Sequence, residues 1–275
     1  MSTPMNSSAT HSDNSFGQFL RHWRLQRNFS QLDLSMASDV SQRHISFIES
    51  GRSHPSRDMV LNLATVLNIP LRQQNKMLTA AGFAPIYSEF DLSAPEVVPI
   101  RRALEFTLKQ QEPYPALVMD RYWNQMIVNK GAENLLGWLL AGKDIPEAVG
   151  SNLMKLMLHP QGVKARVVSW DAIATHLIHR VYRETLAGGK DEQSQALFDE
   201  LLTYPGVRAL WQSPIEDNWQ MPLLSTTFSN ADRQLSFFTT LTTLGTPQDI
   251  TLQELRLECL FPADDATEDY YKVSI

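Results

Sequence analysis

Apolar positions in the first third of the chain recur every three or four residues. Phe16, Phe19, Leu20 and Trp23 fall on one face of a helix predicted over residues 16–27, while Arg21, Arg24 and Arg27 form a row on another side. Ser30 and Asp33 have the spacing of a capping box and start a second short helix, whose narrow apolar face is Leu34 and Ala37. Asp39 stands where the chain must turn, and aspartate tolerates the left-handed conformation better than most residues. Ser41 caps a third helix over residues 42–49, with Ile45 and Ile48 on one side and Gln42, Arg43 and Ser46 on the other, and Gly51 closes it. Ser56 starts a fourth helix, bearing Val60, Leu63, Ala64 and Leu67, that ends at Asn68 and Pro70. A fifth runs over residues 71–81 to Gly82. Five helices with short connections predict a compact all-α module over residues 15–83.

Residues 84–99 hold three prolines and read as a linker. Beyond them the pattern predicts a helix over residues 101–111, two strands (116–119 and 122–128) around Asp120 and Arg121, and a helix over 129–140. A short helix over 153–158, a long one over 163–186, and two more over 193–202 and 207–211 follow. The period then falls from 3.6 to 2, which predicts strands over 223–229, 234–244 and 255–261. In the last of these Leu255, Leu257, Cys259 and Phe261 share one face, with Arg256 and Glu258 on the other. Strands, helices, then an antiparallel meander make an α+β domain over residues 100–267. Residues 1–14 and 268–275 are expected to be a disordered tail and a C-terminal tail.

Composition narrows the classes. With 43% hydrophobic residues the chain is globular, and its net charge of −6 argues against coating nucleic acid or an anionic membrane along its whole surface. The charge is uneven: residues 1–85 carry eight basic against five acidic side chains, the remainder 16 against 25. Any phosphate affinity therefore belongs to the N-terminal module. One cysteine, Cys259, excludes an intrachain disulfide and fits a reducing compartment. With no apolar run long enough to span a membrane, the expected setting is the cytoplasm.

Glutamine, arginine and serine at the start of a helix suit the reading of base edges in a major groove, so residues 30–52 read as a DNA-binding helix-turn-helix. No enzyme is expected, because the hydrolase, NTPase and dinucleotide motifs are missing from the sequence. His176 and His179, with His159, are weak metal ligands without a carboxylate at helical spacing, and Cys259 among apolar residues reads as a buried inert thiol. Neither metal nor cofactor is expected. The second half is rich in large adaptable side chains. Tyr114, Met119, Trp123, Met126, Trp138, Trp170 and Phe238, with Met154, Met157 and Phe237, serve either as core or as the lining of an apolar ligand cavity. Arg121, Arg166 and Arg256 are candidates for its polar anchor.

Residues 16–82 resemble the Xre/Cro-type helix-turn-helix repressors through Leu20-Arg21-x-x-Arg24, Ser30-Gln31, Leu34, Ser41, Ile45-Ser46, Ile48-Glu49-x-Gly51-Arg52 and Pro55-Ser56. The resemblance implies that Gln31 clamps a phosphate and that Gln42, Arg43, Ser46 and Phe47 lie along the groove from the capping Ser41. Arg52 would contact backbone, and Arg24 would pair with Glu49 inside the module. Asp39, Ser35 and Phe47 depart from the family pattern; Phe47 either meets a thymine methyl or is half-buried. Residues from about 100 to 267 resemble the ligand-binding domain of MmyB-like transcription regulators. The carrying segments include Pro115-Ala116-Leu117-Val118-Met119-Asp120, Asn129-x-x-Ala132-Glu133, Tyr204-Pro205-x-Val207-Arg208, Leu235-Ser236-Phe237-Phe238-Thr239 and Phe261-Pro262-Ala263-Asp264. That resemblance implies a PAS-like pocket for a small apolar, fatty-acid-like ligand. The expectation is a dimeric, sequence-specific repressor of a double-stranded operator that senses such a ligand. The other reading makes the C-terminal domain a protein-interaction and dimerisation module without a ligand.

Overall fold

The computed structural model describes residues 15–141, 143–189, 191–213, 225–245, 247 and 249–273; the tail expected over residues 1–14 lies outside them. Two compact units divide after Ser88.

The first unit is five helices: α1 (Ser15–Gln26), α2 (Gln31–Ser38), α3 (Gln42–Glu49), α4 (Arg57–Val66) and α5 (Leu71–Ala80). Local chemistry sets their ends. Ser30 Oγ accepts from the Asp33 amide at 3.0 Å, and Asp33 Oδ2 accepts from the Ser30 amide at 2.8 Å. Asp39 takes φ 57° and ends α2, after which Ser41 Oγ accepts from the His44 amide. Leu20, Trp23, Leu34, Ile45, Ile48, Leu63, Met77 and Leu78 are buried together.

Two details differ from the sequence reading. Ala37 is exposed, and the second buried position of α2 is Ser38, whose hydroxyl donates to the Leu34 carbonyl at 2.6 Å. A helix buries positions i and i+4, and a hydroxyl that bonds its own backbone can be one of them. The arginine row also divides. Arg21 is exposed, Arg24 is buried, and Arg27 donates from Nε and Nη2 to the carbonyls of Leu67 and Asn68, closing the end of α4.

The second unit contains α6 (Val98–Gln111), β1 (Ala116–Met119), β2 (Gln125–Val128), α7 (Lys130–Leu140), α8 (Glu147–Gly150), α9 (Leu153–Leu158), α10 (Trp170–Ala187), α11 (Glu192–Leu201), α12 (Val207–Gln212), β3 (Ser225–Ser229), β4 (Gln234–Thr242), α13 (Ile250–Glu254), β5 (Arg256–Pro262) and α14 (Asp265–Val273). The strands form one antiparallel sheet in the order β2-β1-β5-β4-β3. Each face is covered. One carries Leu104, Leu108, Val118, Leu255, Leu257 and Cys259; the other carries the larger core, including Leu117, Phe237 and Leu260.

Several boundaries move from the sequence reading. In the stretch expected as a linker, Leu92 and Val97 are buried in the second unit, and the Phe90 amide donates to Asp249 Oδ2. The long helix begins at Trp170 rather than near residue 163. Residues 164–166 form a 3-10 turn, Val167 bridges to Phe228, and Ser169 takes φ 54°, so strand-like pairing displaces the first turns. The residues expected as a C-terminal tail are largely α14, anchored because buried Tyr271 packs on Phe237 and Tyr114. Short α8 and α13 carry too few residues to show a period.

Candidate DNA-binding face and ligand cavity

In the first unit α3 is held from behind by Ile45 and Ile48, both buried, which leaves Ser41, Gln42 and Arg43 exposed and Ser46 and Phe47 partly so. The Arg43 guanidinium lies 5.2 Å from the Phe47 ring centre, so the aromatic ring supports the arginine at the helix start. Behind this face Arg24, only 7% exposed, forks onto Glu49 through Nε–Oε1 at 2.7 Å and Nη2–Oε2 at 3.0 Å, and its Nη1 donates to the Phe29 carbonyl. Gln31 donates from Nε2 to Glu49 Oε2 at 2.8 Å. One carboxylate therefore ties α1, α2 and α3 and fixes the Gln31 carboxamide, whose second N–H remains to be used. Arg52 is exposed just past α3; its amide donates to the Phe47 carbonyl at 2.8 Å across Gly51, which takes φ 74°.

In the second unit a cavity of about 320 Å³ lies between one face of the sheet and the helices. Its lining follows from periodicity. Phe237, Thr239 and Leu241 alternate along β4; Ala132, Leu135, Leu136 and Leu139 form one stripe of α7; and Ile173, His176, Leu177 and Arg180 form one stripe of α10. Of the residues singled out from sequence, Trp123, Met154, Met157 and Phe237 border it.

The other expected lining residues have different positions. Phe238 lies on the opposite face of β4, stacked on Phe261 at 5.4 Å, because neighbours on a strand point to opposite sides. Met119 is sealed in the core, Met126 is 40% exposed, and Tyr114 packs on Tyr271. Trp138 Nε1 donates to Asp232, and Trp170 Nε1 donates to the Met157 carbonyl while Lys164 Nζ sits over its ring.

None of the three arginines expected as anchors borders the cavity. Arg121 is neutralised by Asp191 and Glu254, Arg256 donates to Glu184, and Arg166 Nε is buried without a partner among the described residues. The polar lining is instead His176, Arg180 and Glu258, with Gln125, Thr226 and Thr239. Sequence held two signals for it. Arg180 continues the Ile173–Leu177 stripe of α10, and Glu258 is a carboxylate on a strand whose flanking residues are apolar. Arg180 Nε is 3.0 Å from Glu184 Oε1 and Arg256 Nη1 is 2.5 Å from Oε2, while both guanidiniums lie within 5 Å of the Trp123 ring centre. Burial pushes the Glu258 carboxyl up to about 7, against the pull of Arg180 and Arg256 and with repulsion from Glu184. Burial, then the charges of Arg180 and Arg183 and neighbouring His179, hold His176 below its ordinary value.

His159 packs edge-on against Tyr204, and His179 against Trp211. Among the described residues no group of three His, Cys, Asp or Glu side chains is placed to hold a metal ion. Cys259 is buried, and that burial raises its thiol pKa. No described helix is long and apolar enough to cross a membrane.

Comparison with known families places both halves. The family model for the MmyB-like transcription regulator ligand binding domain matches residues 100–272, more than half of the chain, and a helix-turn-helix model matches residues 20–74. No curated protein matches the chain.

Proposed function

The chain belongs to the MmyB-like transcription regulators, and from that premise we propose that it is an Xre-type, sequence-specific repressor whose C-terminal domain senses a small apolar ligand. As a DNA-binding regulator it carries a helix-turn-helix and a ligand-binding domain on one chain. The observation that carries the sensor reading is the 320 Å³ cavity, lined mainly by apolar side chains of α7, α9 and the sheet, with His176, Arg180 and Glu258 as its titratable residues. Its volume falls at the lower end of the roughly 300–1,000 Å³ of small-molecule sites. A PAS-like description is supported by helices inserted between β2 and β3 and by the order β2-β1-β5-β4-β3.

On the DNA side, Gln42 and Arg43 read base edges, with Ser41 and Ser46 alongside and Phe47 supporting Arg43. Gln31, oriented by Glu49, and Arg52 hold phosphates, so they fix register without reading sequence. A helix-turn-helix of this kind works as a homodimer on two half-sites about one helical turn apart. Its setting is the cytoplasm, where the operator lies. Ligand capture favours one arrangement of the paired DNA-binding modules and shifts operator affinity.

The test is direct. Protein purified from its own host is examined by native mass spectrometry, and its preferred duplex is selected from a randomised pool with and without the co-purified molecule. The expected result is a discrete bound small molecule and an affinity for the selected duplex that changes on its removal. A ligand-free protein whose operator affinity no apolar molecule changes would remove the sensor role and leave a DNA-binding interaction module.

A further inference from the structure

The second unit holds another pocket, of about 350 Å³, beside the cavity. Its apolar sides are Pro113, Leu135, Trp138, Leu235, Tyr270 and Tyr271, and its rim residues Glu112, Lys130 and Asn134 are exposed. Leu135 also borders the cavity. Phe237, which borders the cavity too, packs on Tyr271 with ring centres 5.9 Å apart. Leu135, Phe237 and Tyr271 therefore form a partition of side chains between a surface pocket and an inner one.

The elements that carry this partition are anchored differently. The start of α7, which carries Leu135, is fixed. Asn129 Oδ1 accepts from the amides of Ala116 and Ala132, and its Nδ2 donates to the carbonyls of Leu108 and Tyr114. A Cβ on Gly131 would overlap the Pro113 carbonyl, so the two backbones already touch. Phe237 is fixed as well, because β4 pairs with β3 on one side and β5 on the other. The helix α14 is pinned only at its start, where buried Thr267 accepts through Oγ1 from the Ser236 amide at 2.9 Å. Among the described side chains of its far end only Tyr271 is buried. Tyr270 lies 4.7 Å from the Arg233 guanidinium, and Asp269 and Lys272 are exposed. A helix hinged at one end and seated at the other by one aromatic ring opens more readily than a paired strand.

We propose that the surface pocket is the vestibule of the cavity and that Tyr271, swinging outward on α14, is its door. This rests on the reading of the cavity as a ligand site. An uncharged apolar molecule docks first against Trp138 and Tyr270, since Glu112 and Lys130 at the rim are opposite in sign and give a charged head no net attraction. Outward movement of Tyr271 opens the way past Leu135. Its return restores the packing on Phe237 and shuts the molecule in. Entry then depends on how often α14 opens, so the binding rate reaches a ceiling as the concentration of the molecule rises.

Full-length protein is mixed in a stopped-flow instrument with N-phenyl-1-naphthylamine, an uncharged probe strongly fluorescent only in apolar surroundings. In the wild type the observed rate is expected to level off with probe concentration. Tyr271 does not border the cavity, so Y271A should change rates and spare the bound state. Its ceiling and its dissociation rate should rise together by about tenfold, with affinity changed less than about threefold. Y271F, which keeps the ring, should behave as the wild type, and L139W, which fills the cavity, should abolish binding. Hydrogen exchange on the wild type needs no substitution: residues 268–273 should exchange through an opening that leaves residues 130–140 protected. Equal protection of the two segments, or Y271A kinetics equal to those of the wild type, overturns the door and leaves the cavity a ligand site. Probe binding that survives L139W stops in the surface pocket and overturns the passage. A wild type that binds no probe overturns the ligand-site reading itself, and this proposal with it.

Discussion

Glu49 does more than its place inside a short helix suggests. Its two oxygens receive Arg24 from α1 and Gln31 from α2, so one carboxylate sets the position of the helix that carries Gln42 and Arg43. Both partners of the ion pair are nearly buried, at 8% and 6% side-chain exposure. Removing one partner strands the other, which costs about 3–5 kcal/mol for a buried pair. E49A is therefore expected to lower the stability of the N-terminal unit by about 3 kcal/mol in urea unfolding, and to weaken binding to every DNA sequence as Gln31 loses its orientation. A loss below 1 kcal/mol would mean that packing of Leu20, Ile45 and Ile48 alone positions α3. Arg43 behaves differently because it is exposed at the helix start, over the Phe47 ring. R43A is expected to relax base preference at one position of the site and cost roughly 1–3 kcal/mol there if the contact is bidentate; unchanged selectivity in a randomised-duplex selection would exclude it as a base reader.

Among the elements, β5 and α10 supply the titratable side chains of the cavity, Glu258, His176 and Arg180. β5 is central, between β1 and β4, so both of its faces are covered and Glu258 is only 9% exposed. Its carboxyl binds a proton more tightly in the folded chain, at about 7, than when unfolded, at about 4.5. The stabilising proton is thus fully present below pH 4.5 and is lost as pH rises through 7. The C-terminal unit should be less stable at pH 8 than at pH 5.5 by about 2 kcal/mol, and E258Q should flatten that dependence. Chemical unfolding followed at both pH values checks it; a wild-type profile as flat as that of E258Q would mean that water reaches the carboxyl. The helix α14 carries a different lesson. Residues 268–275 read as tail in the sequence, yet Tyr271, within α14, is buried against Phe237, because a single aromatic can anchor a short helix.

On the scale of the whole molecule, the two functions are coupled only if filling the cavity changes operator binding. A coupling of about 1–3 kcal/mol, or 5- to 150-fold in affinity, is typical where one site biases another. L139W tests it, since Leu139 lines the cavity on α7 and a tryptophan occupies space the ligand needs. Fluorescence anisotropy on the selected duplex should show L139W fixed at one affinity whatever ligand is added, while the wild type responds; an equal response in both would place the effector site elsewhere. Periodicity and capping chemistry made the five N-terminal helices, the α+β class and the alternating faces of β5 legible, because these depend on spacing between near neighbours. Arg24 with Glu49 was legible only through a family resemblance, being 25 residues apart. The membership of the cavity was not legible. Abundance of large side chains pointed to Met119, Trp170 and Phe238, whereas closure of the sheet against α7, α9 and α10 selected Leu139, Arg180 and Glu258. The sequence by itself determined which segments fold and which face of each is apolar. Only the tertiary structure decided which of those faces meet without filling the space between them, and which charged group is left there without a partner, because packing and desolvation depend on every element that closes around a residue.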